Sequence, residues 1–454
     1  MPSRLNRRHA LAALGALALP LHAAPAPAKP SAITVPPLPL AQRVLPNGLS
    51  VIAIPDRTSA TVAVQVWMRV GGKDDPPGRS GFAHLFEHMM FKGTRNMKAE
   101  TFDRLTEDVG GQNNAFTAED VTAYIDVVPS NHLERLLWAE AERMANLDVA
   151  EASFHSERAV VTEEYRERVL ADPYGRLFNA LPELQFAVHP YRRPVVGSIE
   201  DLQAATLDDV RAFHATFYRP DNATLIVAGD FDAPQLDAWV DRYFAPLRRP
   251  DRPIPRVTAI EPPRTQSRRV ALHAPNVPLP AVALLWQGPP AASPDAAALQ
   301  VASALLAAGD SSRLHEHLVY HARIAQAAGF SADLYADAGM LAAYAIGASG
   351  QAPSKLEAAL MAEIERLARG PIAAAELEKV RTRLVTSELA GRQTPQGKAE
   401  AVGWAVILRG DARAADREIA ELQAVRAADV QRVLRRHVLG AQRVSVTYTQ
   451  EKTS

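Results

Sequence analysis

Residues 201–211 read DLQAATLDDVR, and residues 421–431 read ELQAVRAADVQ. Leu, Gln, Ala, Asp and Val recur in register between these segments, at an offset of 220 positions (421 − 201 = 220). Each segment precedes a run typical of a strand, ATLIVAG from Ala223 and RVSVTY from Arg443. Because each copy closes its own half of the chain, the pattern indicates an internal duplication of α/β units of roughly 200 residues.

The domain organisation follows from this duplication and from two proline-rich segments. A length of 454 residues favours two or three domains. Strands and helices mix without strict βαβ alternation, so we predict an α+β fold with two homologous α/β sandwich units, each a mostly antiparallel sheet flanked by helices. The predicted segments are a signal peptide at 1–23, a Pro-rich extended segment at 24–40, an N-terminal domain at 41–245, a Pro/Arg-rich linker at 246–265 and a C-terminal homologous domain at 266–454.

Local patterns predict several elements of the first unit. TVAVQVWMRV from Thr61 alternates as a strand, with Val62, Val64, Val66 and Met68 on one face. Ser80 is placed to cap a helix that continues through HLFEHMMF to Gly93. VAEASFHSERAVVTEEYRERVL predicts a further helix, which Pro173 stops.

The composition excludes several classes of protein and site. The chain is 47% hydrophobic and 22% charged, as soluble globular proteins are. A net charge of −1, without a basic stripe beyond the N-terminus, makes nucleic acid an unexpected partner. There is no cysteine, which excludes disulfides, thiolate ligands and a cysteine nucleophile. A metal would therefore have to be held by His, Asp or Glu.

The first thirty residues have the pattern of a bacterial export signal. An Arg-bearing start leads to an apolar run from Ala10 to Leu21 and small residues at Ala23 and Ala24. The run is too short for a permanent membrane span, so we expect cleavage near Ala23 and a periplasmic mature protein. Arg7 and Arg8 leave open whether export uses the twin-arginine or the general secretory route.

Residues 84–88 read HLFEH, which on a helix places His84 and His88 one turn apart on the same face. Two imidazoles at this spacing can bind one Zn²⁺. Glu87 lies beside them and is placed to take a proton from a water whose pKa zinc lowers to about 7. Since the chain has 13 histidines, ordinary helix polarity remains the alternative for this motif alone.

A catalytic zinc also needs a third protein ligand. The stretch SERAVVTEEYRER offers Glu157 and Glu164, which are seven residues apart and so stack on one helix face. Its apolar residues Ala159, Val160 and Val161 indicate that part of this helix is buried, where a carboxylate needs a partner. A solvated acidic face is the alternative interpretation.

HLFEH with the following FKGT, and ERAVVTEE downstream, resemble the pitrilysin/insulinase-type metallopeptidases, the inverzincins, over nearly the whole mature chain. The resemblance implies one zinc per chain with His84, His88 and Glu164 as ligands and Glu87 as general base. The spacing of 76 residues (164 − 88 = 76) is what the family has. Glu157 matches the acidic position that supports the ligands from behind.

Two further implications concern the rival ligand and the substrate. Glu163 could replace its neighbour as ligand, but Glu164 is the residue that pairs with Glu157 at the helical repeat. By resemblance, Asn114, Ala115 and Phe116 lie on a strand to which a peptide substrate adds as an extra strand. An ordinary sheet edge is the alternative for this strand. Zinc rather than another divalent ion is inferred from the ligand type.

The resembling family also uses an Arg and a Tyr, seven residues apart after an SSRL-type helix start, to help the oxyanion. Aligning SSRL at 311–314 places Val319 where the Arg should be and Gln326 where the Tyr should be. Tyr320 and Arg323 lie nearby, but in the wrong order and spacing.

In the same stretch His317 and His321 are four apart, yet no carboxylate lies between them at the base position, so we interpret them as a polar helix face.

These observations predict the zinc-bearing subunit of a heterodimer of the two-domain bacterial type. A homologous partner would supply the Arg/Tyr pair, and the two halves would enclose a chamber that admits peptides. A self-sufficient homodimeric peptidase is one alternative. A non-catalytic subunit kept for peptide binding or assembly is another.

Overall fold

The structure, a computed structural model, describes residues 33–451. The predicted signal peptide and the start of the Pro-rich segment lie outside the described residues. A first sheet contains the strands β1 (Ala41–Val44), β2 (Ser50–Pro55), β3 (Thr61–Met68), β4 (Gln112–Thr117), β5 (Thr122–Pro129) and β6 (Ala223–Gly229). A second sheet contains β7 (Arg268–Ala274), β8 (Ala281–Gly288), β9 (Ala325–Leu334), β10 (Gly339–Gly347) and β11 (Val444–Gln450).

Helices connect the strands of each sheet. The first half contains α1 (Phe82–Met89), α2 (Thr101–Glu107), α3 (Leu133–Asn146), α4 (Glu151–Tyr165), α5 (Gly175–Gln185), α6 (Ile199–Ala204), α7 (Leu207–Phe217) and α8 (Ala233–Phe244). The second half contains α9 (Ala296–Ala307), α10 (Pro353–Arg369), α11 (Ala374–Gly391), α12 (Pro395–Arg409), α13 (Ala414–Ala424) and α14 (Ala427–Leu434). Single π-helical turns follow at Arg166–Ala171, His315–His321 and Arg435–Leu439, and 3₁₀ turns at Gly72–Asp74, Ser130–His132, Pro190–Arg192 and Pro220–Asn222.

The sheet topology confirms the α+β class. The strand order is β1-β2-β6-β3-β5-β4 in the first sheet and β7-β11-β8-β10-β9 in the second. Pairing is antiparallel except between β2 and β6 and between β7 and β11. Strands β4 and β9 therefore each form one edge of their sheet.

The duplication is visible in matching elements of the two halves. Helices α6 and α7 lead to β6, and α13 and α14 lead to β11. In each copy an aspartate near the helix start accepts a hydrogen bond from a preceding backbone N–H: Thr206 N to Asp209 at 3.1 Å, and Arg426 N to Asp429 at 3.0 Å. The recurring Asp thus caps the equivalent helix in each half, α7 in the first and α14 in the second.

Each sheet is covered on one face by a helix from the other half. Val62, Val64, Val66 and Met68 share one core, which confirms their common face. Trp67 on the opposite face is fully buried against residues of α12. Reciprocally, apolar residues of α5 pack on the second sheet. The Pro/Arg-rich segment separates the two sheets in the sequence. Helices α5 and α12, however, each pack on the sheet of the other half.

A glycine permits the close approach of α12 to the first sheet. A Cβ added to Gly403 would lie 2.1 Å from Cε2 of Trp67. The neighbouring Trp404 stacks on Phe116 of β4 with ring centroids 5.3 Å apart. Helix α12 therefore supports the edge strand β4 as well as the centre of the sheet.

The prediction that Ser80 caps the first helix is wrong. Helix α1 starts at Phe82 after Gly81, which has φ of 87°, and it ends at Met89. The Ser80 hydroxyl donates instead to Asp201, at 2.5 Å. The carboxylate of Asp75 takes the capping role, accepting from the N–H groups of Gly81 at 2.7 Å and Ala83 at 2.8 Å. The left-handed turn at Gly81 carries Ser80 away from the first helical turn.

The helix α4 is less buried than its apolar residues indicated. Ala159 and Val160 are exposed, and Val161 is buried together with Phe154 and Glu157. The predicted stop is confirmed, since the π-helical turn after α4 ends at Ala171, two residues before Pro173. Within residues 33–451 no helix combines the length and the apolarity needed to cross a membrane.

Candidate metal centre

Helix α1 carries His84 and His88 on one face, and α4 packs across it with Glu164 opposite them. The two imidazole centroids are 5.0 Å apart. Nε2 of His84 and Nε2 of His88 each lie 3.6 Å from Oε2 of Glu164. In the described part of the chain these three form the one group of metal-binding side chains whose ligand atoms converge, all within 4.8 Å of one another.

The spacing of these atoms fits a small tetrahedral cation. Zinc bonds of 2.0–2.1 Å at tetrahedral angles place ligand atoms about 3.4 Å apart, close to the two distances to Glu164. Burial and the neighbouring His88 together lower the pKa of His84 to about 4, although Glu164 opposes them. His84 is therefore neutral at pH 7, the state in which imidazole binds a metal.

Glu157 fixes the orientation of His88. Its Oε2 lies 3.4 Å from Nδ1 of His88, and its Oε1 lies 2.8 Å from Nζ of Lys92. Burial would raise the pKa of Glu157, but the hydrogen bonds from His88 and Lys92 outweigh it and hold this pKa below the usual range. A carboxylate on Nδ1 leaves Nε2 of His88 to face Glu164, as in carboxylate–histidine–metal arrangements.

Glu87 is held by the end of strand β4. The Thr117 hydroxyl donates to Oε2 of Glu87 at 2.5 Å. Burial raises the pKa of Glu87 above its ordinary value, although this hydrogen bond opposes the rise. A partly desolvated carboxylate with one fixed oxygen suits a general base that works near neutral pH.

The rival Glu163 points away from this group. Its carboxylate is 59% exposed and pairs with Arg166 at 2.9 Å. Glu164 therefore has the position that the helical repeat indicated. The assignment of these residues as ligands and base stays a prediction.

The predicted substrate strand is an edge strand whose open side faces away from β5. Asn114 is exposed, and its Oδ1 accepts from the N–H of Ala115 at 2.9 Å. The Phe116 side chain packs against Trp67 at 5.6 Å between ring centroids and stacks on Trp404. Phe116 can therefore offer a peptide its backbone, whereas its side chain belongs to the core.

The second half places no arginine or tyrosine at the two aligned positions. Val319 packs against the core of the second sheet, and Gln326 is exposed on β9. Tyr320 is 69% exposed, and Arg323 has a left-handed φ of 51°. Both lie beside the predicted positions without filling them.

The histidine pair of this half has other neighbours. His317 Nδ1 lies 3.1 Å from the buried carboxylate of Glu363, and its Nε2 lies 2.8 Å from Arg366. The rings of His317 and His321 are 6.2 Å apart. These contacts give His317 an ion-pair environment rather than a place in a converging ligand set.

Four residues of the site escaped the sequence analysis. Asp75 and Thr117 act through contacts with residues that lie six or more positions away, which no local pattern reveals. Lys92 lies beyond the end of α1 and contacts Glu157, which is 65 residues on (157 − 92 = 65). Arg168 lies four residues after Glu164, so helical spacing offered a signal for Arg168 alone.

The chain matches two family models. Residues 50–198 match the model described as insulinase, peptidase family M16, and residues 204–384 match the peptidase M16 inactive domain. The boundary between the two matches lies close to the repeated segment at 201–211.

Individual proteins are similar over most of the chain. The zinc protease PqqE of Helicobacter pylori is 33% identical over 340 residues, 74% of this chain and 76% of the relative. A crystal structure of a protease from Helicobacter pylori superposes with a TM-score of 0.87 at 29% identity, covering 91% of this chain and all of that one. The periplasmic protease PqqL of Escherichia coli shares the fold, with a TM-score of 0.72 at 17% identity, over 92% of this chain and 48% of that one.

Proposed function

Because the chain belongs to the insulinase family of metallopeptidases, peptidase family M16, we propose that it is a zinc-dependent endopeptidase. The observation that carries the proposal is the convergence of three side chains: Nε2 of His84 and Nε2 of His88 each lie 3.6 Å from Oε2 of Glu164. These three residues would hold the ion. When bound, zinc supplies a Lewis acid that polarises the peptide carbonyl and lowers the pKa of water.

Glu87 would act as the general base. Since the Thr117 hydroxyl fixes Oε2 of Glu87, the proton from the attacking water is received at Oε1. The same carboxyl group then donates a proton to the leaving amine as the peptide bond breaks. Glu157 and Lys92 keep His88 oriented throughout these transfers.

The substrate would bind in extended form beside strand β4. Main-chain hydrogen bonds at Asn114, Ala115 and Phe116 would hold it as an added strand. Thr117, at the end of the same strand, contacts Glu87 at 2.5 Å. A peptide aligned on β4 would therefore run directly past the base.

The site would be completed by a homologous partner subunit. Val319 packs in a core and Gln326 has no phenol, so neither can replace the Arg/Tyr pair of the family. The fold matches 48% of the longer PqqL chain, which supports the use of two such units together. In this arrangement the two subunits enclose the peptide in a chamber.

The protein would act in the periplasm after removal of residues 1–23. The charged start, the short apolar run and the small residues at Ala23 and Ala24 support this location. Determining the N-terminal residue of the mature chain tests it, and an intact Met1 in a cytoplasmic fraction would contradict it.

The deciding experiment is hydrolysis of a quenched fluorescent peptide mixture by the purified mature chain, alone and with a candidate partner. Chelator-sensitive activity in the mixture alone supports the heterodimer. Activity from the chain alone, with a dimeric size in solution, favours a homodimeric peptidase instead.

Metal analysis addresses the remaining alternative. A purified chain that contains no zinc and does not bind added zinc would overturn the peptidase proposal. It would favour a non-catalytic role in peptide binding or assembly.

A further inference from the structure

Arg168 lies on the π-helical turn Arg166–Ala171 that continues α4, one turn beyond Glu164. Its Nη1 is 2.7 Å from Oε1 of Glu164. The other oxygen, Oε2, is the atom 3.6 Å from the two histidine nitrogens. The two oxygens of one carboxylate therefore have different partners. Single π-helical turns of this kind are frequent at functional sites.

The same division occurs at the other carboxylate of α4. Lys92 takes Oε1 of Glu157 at 2.8 Å, while Oε2 of Glu157 faces His88 at 3.4 Å. In both cases a positively charged side chain contacts the carboxylate oxygen that is not directed at the histidines. The recurrence indicates that the Arg168 contact is part of how the site is built.

Arg168 lies at the surface, and its contact with Glu164 extends from solvent toward the histidines. Its side chain is 71% exposed, whereas that of Glu164 is 18% exposed. Within residues 33–451, Glu164 is the one side chain that pairs with its guanidinium. Burial lowers the pKa of His84 and raises that of Glu87, and the positive charge of Arg168 lowers both.

We propose that Arg168 is a positioning residue that keeps Glu164 as a one-oxygen ligand, an inference that rests on the proposed metal site. A carboxylate can offer a cation one oxygen or two. A charge-assisted hydrogen bond to Oε1 fixes the rotation of the group, so that Oε2 alone faces the ion. Without Arg168 the carboxylate can rotate, and ordering it on metal binding then costs affinity.

The test compares Arg168→Gln and Arg168→Lys with a matched control, Arg166→Gln. Arg166 lies on the same turn and pairs with Glu163 at 2.9 Å, away from the histidines. The readout is the zinc dissociation constant of the mature chain, measured by competition with a chromophoric chelator. Removing a group that orients a ligand typically weakens metal binding about 10–100-fold. We expect this for Arg168→Gln, a smaller loss for Arg168→Lys, and no change for Arg166→Gln.

A second readout separates positioning from substrate contact. Peptide hydrolysis by the active assembly is measured at saturating zinc, where positioning alone predicts that most of the kcat of Arg168→Gln returns with KM unchanged. Circular dichroism and the thermal midpoint check that the variants are folded.

The outcomes distinguish the two proposals. A wild-type chain that binds no zinc overturns the peptidase proposal, whatever Arg168 does. Zinc binding by the wild type and equally tight binding by Arg168→Gln overturn the inference alone. Unchanged zinc affinity with a raised KM also overturns it, because Arg168 would then contact the peptide.

Discussion

Replacing Gly403 with alanine should loosen the contact between α12 and the first sheet. The new Cβ would lie 2.1 Å from Cε2, 2.3 Å from Cζ2 and 2.5 Å from Cδ2 of Trp67. Trp67 cannot step aside easily, since it is fully buried and packs edge-on against Trp404 at 5.4 Å and Phe116 at 5.6 Å. The helix or the ring must therefore move.

The magnitude follows from two opposing effects. Alanine favours a helix interior over glycine by about 1 kcal/mol. Carbon atoms in contact lie about 3.5–4.0 Å apart, so the clash requires a displacement of about 1.5 Å. Overpacking costs about 1–3 kcal/mol. Because the added Cβ would lie so far inside the contact distance, we expect a cost at the upper end of this range. We expect Gly403→Ala to lower the free energy of unfolding by about 2 kcal/mol.

The assay is urea unfolding of the mature chain, followed by circular dichroism at pH 7. Gly391→Ala, at the end of α11, is the matched control because nothing lies within 4 Å of its added Cβ. It should leave the stability unchanged or raise it by up to about 1 kcal/mol. In a Trp67→Leu background the cost of Gly403→Ala should shrink, because the clashing ring is gone. Equal stabilities of the two alanine variants would refute the reasoning, since α12 would not then pack on Trp67 at this distance.

Three further expectations concern the base, its support and an ion pair between the halves. Glu87→Gln should lower kcat of the active assembly about 10²–10⁴-fold with zinc content unchanged. The control Glu163→Gln should leave kcat unchanged. Loss of zinc from Glu87→Gln would contradict the role of base. Thr117→Val removes the hydroxyl that fixes Oε2 of Glu87, so kcat should fall about 10-fold with little change in the thermal midpoint, and an unaltered kcat would show that this contact is dispensable. Burial alone would raise the pKa of Asp56, but hydrogen bonds from Lys398 and Thr58 hold it at about 2. This depressed pKa contributes about 2 kcal/mol of stability above pH 4, which is lost as pH falls toward 2. Asp56→Asn should therefore reduce the unfolding midpoint at pH 7 and flatten its pH dependence between pH 4 and 2. Parallel pH profiles of the wild type and the variant would be inconsistent with this.

Local spacing explains what could be predicted of the site. His84 and His88 share a face at four residues, and Glu157 and Glu164 share one at seven, because a helix repeats every 3.6 residues. Glu163 is accordingly directed outward, to Arg166. The alternation of Val62 to Met68 identified one core face of β3 for the same kind of reason.

Partners that are distant in sequence account for the errors and omissions. Ser80 had the composition of a cap, but Asp75 caps α1, since the turn at Gly81 decides which side chain reaches the free N–H groups. Val160 is apolar and yet 47% exposed, so its apolar character alone did not show which side of α4 is buried. The hydroxyl that holds Glu87 comes from the end of β4, thirty residues on.

The sequence by itself thus determined the two-unit plan, the faces of several elements and the residue types of the candidate metal centre. Each of these depends on helical or strand periodicity within a short window, where backbone geometry leaves few choices. The tertiary structure alone decided that α5 and α12 cross between the halves and that the Thr117 hydroxyl donates to the carboxylate of Glu87. Such contacts result from the packing of whole elements, in which any apolar face can be buried by any complementary one, and a single sequence carries no local record of which partner is chosen.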